Sequence, residues 1–200
     1  MNGGISLIFA ALVGVGHAFE ADHLLAVSTM VGRSKTNREL AKSGFFWGLG
    51  HTSTIVLIGI LLILFQIQSL TAYLGYFEYF VAIMLIGLGM IRLIQLKQTP
   101  KLDHTHPHFR EAYGIGLIHG LAGSGALVLL VMSNLPSTEE ALLYLLLFGL
   151  GSAVGMSMAA MLMRLPLLER QANPNRKRRF TSLSACLCIA YGLIMLIRLS

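Results

Sequence analysis

Four side chains able to hold a cation fall within seven residues of this 200-residue chain: His17, Glu20, Asp22 and His23, in Gly16-His17-Ala18-Phe19-Glu20-Ala21-Asp22-His23. The flanks, Ile5 to Val15 and Leu24 to Val31, are almost purely apolar. An ionisable residue inside a hydrocarbon core costs roughly 2.5–3.5 kcal/mol on insertion scales, so such residues mark ion paths more often than structural glue. Two acids and two imidazoles together point to a cation site. On a regular helix His17 and Glu20, and Glu20 and His23, are three apart and share a face. Asp22 lies well around the helix from Glu20. Either the helix is distorted here, with Gly14 and Gly16 helping, or Asp22 holds the second nitrogen of a ligand histidine, the usual task of a carboxylate near a metal.

Two further histidines sit in apolar, glycine-rich surroundings. His51 follows Gly48-Leu49-Gly50 and precedes Thr52-Ser53-Thr54, and His119 is embedded among Gly114, Gly116, Gly120, Gly123, Ser124 and Gly125. The latter is no phosphate loop, because it lacks a Lys-Ser/Thr ending and its flanks are apolar. The expected metal set is therefore His17, Glu20, Asp22, His23, His51 and His119. Ser124 and Ser152 are weaker candidates, as are Met156, Ser157 and Met158. So are His104, His106 and His108 of the tract Asp103-His104-Thr105-His106-Pro107-His108, a short histidine-rich connection of the kind that collects metal. Imidazole and carboxylate without thiolate suit nickel, cobalt and zinc better than copper(I).

The segments that carry these residues are membrane-like. Only 12% of the residues are charged, half the share in a soluble domain, and mean hydropathy is +0.71. No basic n-region opens the chain, so the first apolar segment is expected to be a retained span rather than a signal peptide. Six apolar stretches reach spanning length, approximately 5–30, 44–66, 73–95, 112–133, 139–163 and 180–198. All five prolines fall between them or at their ends. Fourteen of the fifteen basic residues lie in alternate connections, including Arg33 to Lys42, Arg92 to Arg110 and Arg164 to Arg179; only Arg198 dissents. The positive-inside rule makes those connections cytoplasmic and both termini external, in a cell (inner) membrane. This pattern accounts for the net charge of +6 without nucleic acid. Cys186 and Cys188, two apart on a helix, do not face each other and predict no disulfide.

The two halves resemble each other. His17 aligns with His119 and Asp22 with Ser124. Phe46-Trp47-Gly48-Leu49-Gly50-His51 aligns with Leu147-Phe148-Gly149-Leu150-Gly151-Ser152, and the span ending at Arg92 with the span ending at Arg198. Three spans per copy force the second copy into the membrane upside down. The expected fold is thus all-α, a polytopic membrane protein of six transmembrane helices in two inverted three-helix repeats. It forms a single domain, with repeat 1 over about 5–95, a histidine-containing connection over 96–111 and repeat 2 over about 112–198.

These residues carry a family resemblance over nearly the whole chain. His17-Ala-Phe-Glu20-Ala-Asp22-His23 resembles the H-A-x-D-A-D-H signature of the nickel/cobalt transporter superfamily, with Glu at position 20 in place of the usual Asp. Gly48-Leu-Gly-His51-Thr-Ser-Thr is similar to that family's second motif, and His119-Gly-Leu-Ala-Gly-Ser-Gly-Ala to its compact UreH-like branch. The resemblance implies a permease for Ni²⁺ or Co²⁺, with Zn²⁺ a third candidate, that hydrolyses no ATP itself and keeps no permanent cofactor. His17, Asp22, His23 and His51 would be its motif residues. Implied partners are the metal ion, the bilayer and metalloenzyme maturation proteins; six short spans add a second copy of the chain as a candidate partner. Two other readings compete. One is a non-transporting factor that delivers metal to an enzyme such as urease. The other is a thiol-redox conductor, which the lack of cysteines in spans 1 and 4 disfavours. No H-E-x-x-H protease motif is present, and no enzymatic activity is expected.

Overall fold

The computed structural model describes residues 3–31, 36–65, 74–98, 109–121, 137–165 and 174–200. Among them are seven α-helices and no strands: α1 Gly3–His17, α2 Ala21–Val31, α3 Asn37–Phe65, α4 Leu74–Lys97, α5 Phe109–His119, α6 Thr138–Arg164 and α7 Pro174–Leu199. Four of them, α3, α4, α6 and α7, are long and apolar enough to cross a membrane. The α1–α2 pair makes a fifth span if it crosses as one. The expected fourth span begins in α5, but its second half lies outside the described residues, as do Ser124, His104, His106 and His108.

Several helices outrun the apolar stretches that announce them. α3 starts at Asn37 rather than near 44, α5 starts within the expected connection, and α7 starts at Pro174, ahead of the basic run Arg176 to Arg179. Hydropathy reports where lipid begins, whereas a helix ends where its backbone finds other partners. At α3 the start is a capping box: Thr36 Oγ1 accepts the Glu39 backbone N–H (3.1 Å) and Glu39 Oε2 accepts that of Thr36 (3.3 Å). Ser137 caps α6 through the Glu140 N–H. Proline suits the first turn of α7 because it has no N–H to leave orphaned.

Antiparallel α3 and α6 form the centre, each 56% buried over its apolar window, against 28% for α4 and 22% for α7. They touch backbone to backbone. Gly48 lies against Ala153 and Gly149 against Thr52, whose hydroxyl donates to both Gly48 O (2.7 Å) and Gly149 O (2.8 Å). α1 packs on α6 and α5 on α3, while α4 and α7 pair at the side and hold α2. Without a hydrophobic drive between helices in lipid, small residues and hydroxyls are what bring such helices close. Cys188 is buried and its S–H faces Leu85 O (3.3 Å), whereas Cys186 is exposed; both are free. Apolar side chains such as Phe9, Ile83, Val154 and Ile197 cover the exterior, as lipid contact requires.

The α1–α6 approach is among the tightest: a methyl group on Gly14 would sit 2.0 Å from Phe148 O. Gly14→Ala is expected to destabilise the fold by about 1–3 kcal/mol, the usual cost of overpacking. Gly87→Ala, which meets no neighbour within 4 Å, is expected to be neutral or mildly stabilising. Thermal unfolding in detergent compares the two.

Candidate metal centre

The cluster forms where the first apolar segment breaks. α1 stops at His17 and α2 starts at Ala21, with axes 61° apart. Tight turns close the corner: Phe19 N–H donates to Gly16 O and Glu20 N–H to His17 O, both at 3.0 Å. Of the two arrangements the sequence left open, both occur: the helix is broken here, and Asp22 holds a ring nitrogen of His23 and of His119. His17 ends one helix, Asp22 and His23 begin the next, and Glu20 sits between them.

The carboxylates orient the imidazoles. His17 Nδ1 lies 2.8 Å from Glu20 Oε1, and His23 Nδ1 lies 3.0 Å from Asp22 Oδ1. A carboxylate accepts, so each ring carries its proton on Nδ1 and keeps a lone pair on Nε2. Asp22 does more: its Oδ1 also takes the His23 backbone N–H (2.9 Å), and its Oδ2 takes His119 Nε2 (3.0 Å). One carboxylate therefore joins the start of α2 to the end of α5. The His23 and His119 rings stack with centroids 4.1 Å apart. His119 keeps its free lone pair on Nδ1.

His51 enters from α3. It is fully buried and neither ring nitrogen has a partner among the described residues. Its ring lies 5.3 Å from that of His17 and 5.2 Å from that of His23. Donor atoms of His17, His23 and His51 lie within 4.8 Å of one another, as do those of Asp22, His23 and His119. Four buried ring nitrogens, His23 Nε2, both of His51 and His119 Nδ1, lack a partner among the described residues. Each unpaired buried polar group costs on the order of 1–3 kcal/mol. A divalent cation drawn to such lone pairs offsets that cost, and three imidazoles with their Asp and Glu supports make a nitrogen-rich site suited to a first-row ion.

The remaining candidates sit differently. Glu20 is exposed on one side, at 59% of its side chain, and touches His17 alone among the cluster histidines. Ser152 is buried, its hydroxyl donating to Gly14 O (3.1 Å), and so clamps α6 to α1. Ser157 clamps α6 to Ala41 O of α3 (2.8 Å). Sequence reasoning passed over Trp47 as a functional residue. It is fully buried, 5.7 Å from the His23 ring and 5.3 Å from that of His119. Its place one helical turn before His51 was the available signal.

The fold and the cluster define a helical membrane protein with a buried histidine–carboxylate centre at a bent helix pair. Comparison narrows this class: the chain belongs to the UreH family. It is 32% identical over 201 residues to the urease accessory protein UreH of Bacillus sp. (strain TB-90), covering 94% of this chain and 88% of that relative. No family model matches the sequence, and no solved structure matches it.

Trp47, the single tryptophan, gives the centre a built-in reporter. Ni²⁺ or Co²⁺ is expected to quench its fluorescence saturably in the purified protein. His51→Ala should abolish the saturable phase. Asp22→Asn should raise its midpoint about 10–100-fold, the usual cost of losing a group that orients a ligand.

Proposed function

We propose that this protein is a secondary transporter for a divalent transition-metal ion, nickel or cobalt, bound at His17, His23 and His51. Asp22 orients His23 and His119, and Glu20 orients His17 at the exposed edge. The observation that carries this reading is the convergence of partnerless imidazole nitrogens at a helix break inside an apolar segment. Broken helices at the midplane are where transporters of the inverted-repeat type bind ions. The absence of thiolate from the cluster disfavours soft ions and favours an ion that must also leave.

An inverted repeat supports the transport mechanism. If residues near 3–97 match residues near 109–199 at an offset of 101–103, each contact between the halves should recur with its roles exchanged. Gly14 approaches Phe148 O, and its counterpart Gly116 approaches Trp47 O, both at 2.0 Å from a built methyl. Gly151 approaches Ala11 O and Gly50 approaches Tyr113 O, both at 2.1 Å. Gly89 approaches Ala185 O (2.6 Å) and Gly192 approaches Ala82 O (2.7 Å). Reciprocity of this kind is the mark of a two-fold axis. Thr36 and Ser137, the caps of α3 and α6, obey the same offset. On this reading the two three-span units rock about the α3–α6 contact, and His119, by bonding Asp22, ties the second unit to the ion site of the first. The basic connections then face the cytoplasm, with both termini outside.

The relative's name, urease accessory protein, favours a second reading: a membrane factor that delivers metal for enzyme maturation without moving it across the bilayer. Purified protein in liposomes separates the two. Transport predicts protein-dependent Ni²⁺ or Co²⁺ entry that His17→Ala and Asp22→Asn each lower at least tenfold, and cells making these variants should hold correspondingly less metal. Binding without entry would leave the delivery reading.

A further inference from the structure

The outward seam between α4 and α7 is apolar along most of its length and basic at one end. The two helices are the least buried of the four long spans. They run antiparallel and touch where Gly89 meets Ala185 and where Gly192 meets Ala82. The residue after each contact point is exposed: Ile83 (60%) and Met90 (51%) on α4, Cys186 and Leu193 (48%) on α7. One step of about 100° along either chain turns to the same side of an antiparallel pair, so these four residues line one seam. Seven residues make nearly two full turns, and both stripes continue at that interval. Ile83 and Met90 lead to Lys97; Leu193 and Cys186 lead to Arg179. The same contacts bring Lys97 level with the turn that holds Lys177, Arg178 and Arg179, and all four are exposed. In the other direction the stripes reach Tyr76 and Ser200, whose side chains carry no charge. Neither helix offers an acid at the basic end: α7 has none, and α4 has only Glu78, at the far end.

We propose that this seam binds one anionic phospholipid, with its phosphodiester against Lys97, Arg178 and Arg179 and an acyl chain along Met90, Cys186, Ile83 and Leu193. Fourteen residues separate Lys97 from Ile83, about 21 Å of helix. One leaflet's hydrocarbon is roughly 15 Å deep, so a chain held at the basic end lies on apolar side chains throughout. The phosphate draws on three cations at once, and guanidinium groups take it bidentately. A headgroup that carries its own ammonium is repelled by the same cations. A soluble phosphate meets the charge but gains nothing from the seam. Basic clusters at the end of a membrane helix select anionic lipids in this way. The occupant also has a structural task. α4 and α7 pair at the side of the bundle and hold α2, the helix that begins with Ala21, Asp22 and His23. A lipid across the seam braces the pair that backs the metal centre, whichever reading of the function holds.

Cys186 stands in the seam and reports its occupant. The test uses the full chain with Cys188→Ser, purified in a neutral detergent and given a few lipid molecules per protein. Phosphatidylglycerol is expected to slow modification of Cys186 by an apolar maleimide at least fivefold relative to phosphatidylcholine of the same chains. Lys97→Gln, Arg178→Gln and Arg179→Gln together should remove that difference. Arg38→Gln, Lys42→Gln and Arg110→Gln delete as many exposed charges from the starts of α3 and α5 and should keep it. Inorganic phosphate should not slow the reaction. Equal rates in the two lipids overturn the proposal. So does equal loss in the two triple variants, which would mean attraction to the basic surface as a whole. Protection by inorganic phosphate alone also overturns it, in favour of a free-anion site. Native mass spectrometry gives a readout without the thiol. One phosphatidylglycerol should remain on the parent protein under conditions that strip phosphatidylcholine, and its equal retention by the Lys97, Arg178 and Arg179 variant overturns the assignment to this seam.

Discussion

A single carboxylate governs the centre of this protein. Asp22 bonds one imidazole from its own helix and another from a helix nearly a hundred residues away, and takes a backbone N–H as well. A buried carboxylate is tolerable only when its lone pairs are filled in this way. The three bonds do that, and they fix which nitrogen of each ring carries a proton. They are possible because the chain breaks at Ala18-Phe19-Glu20. The break puts Asp22 in the first turn of α2, where the N-terminal end of the helix dipole favours negative charge. A continuous helix would have turned the carboxylate away from His119.

Holding His119 against that carboxylate, and His51 beside His17 and His23, requires helices closer than ordinary side chains permit. The Gly-Leu-Gly runs of α3 and α6, Gly116 of α5 and Gly120 just after it remove the side chains at the crossings. Thr52 and Thr54 then bond across them, to Gly149 O and Leu117 O. The sequence thus spends its small residues on distance and its hydroxyls on direction. Ser152, which aligns with His51, belongs to this scaffold: its hydroxyl donates to a carbonyl of α1.

Much of this was legible beforehand, and the rest failed for identifiable reasons. Apolar length located the helices, but their ends were set by caps such as Thr36 and Ser137, which hydropathy does not see. The spacing of His17, Glu20, Asp22 and His23 exposed a conflict with a regular helix without saying how the chain resolves it; the resolution depends on the turn bonds around Phe19 and on the partner His119. His51 was singled out by its glycine-rich approach, the small hydroxyl residues after it, the repeat alignment and a motif resemblance; none of these says which imidazoles it would lie beside. Trp47 was hidden by its type, since a lone aromatic in an apolar span usually means packing.

The packing has a consequence for how the chain is made. α1 rests on α6 rather than on its sequence neighbours, and α3 is buried between α5 and α6. When the first half leaves the ribosome, the surfaces that α1 and α3 will bury have nothing to meet. The glycine faces and the acidic corner at Glu20 and Asp22 must wait in the bilayer or beside the insertion machinery. Only when α6 arrives, some 120 residues after α1 ends, can the first helix settle. The two halves are interleaved, and neither is a folding unit that could be completed before the other exists.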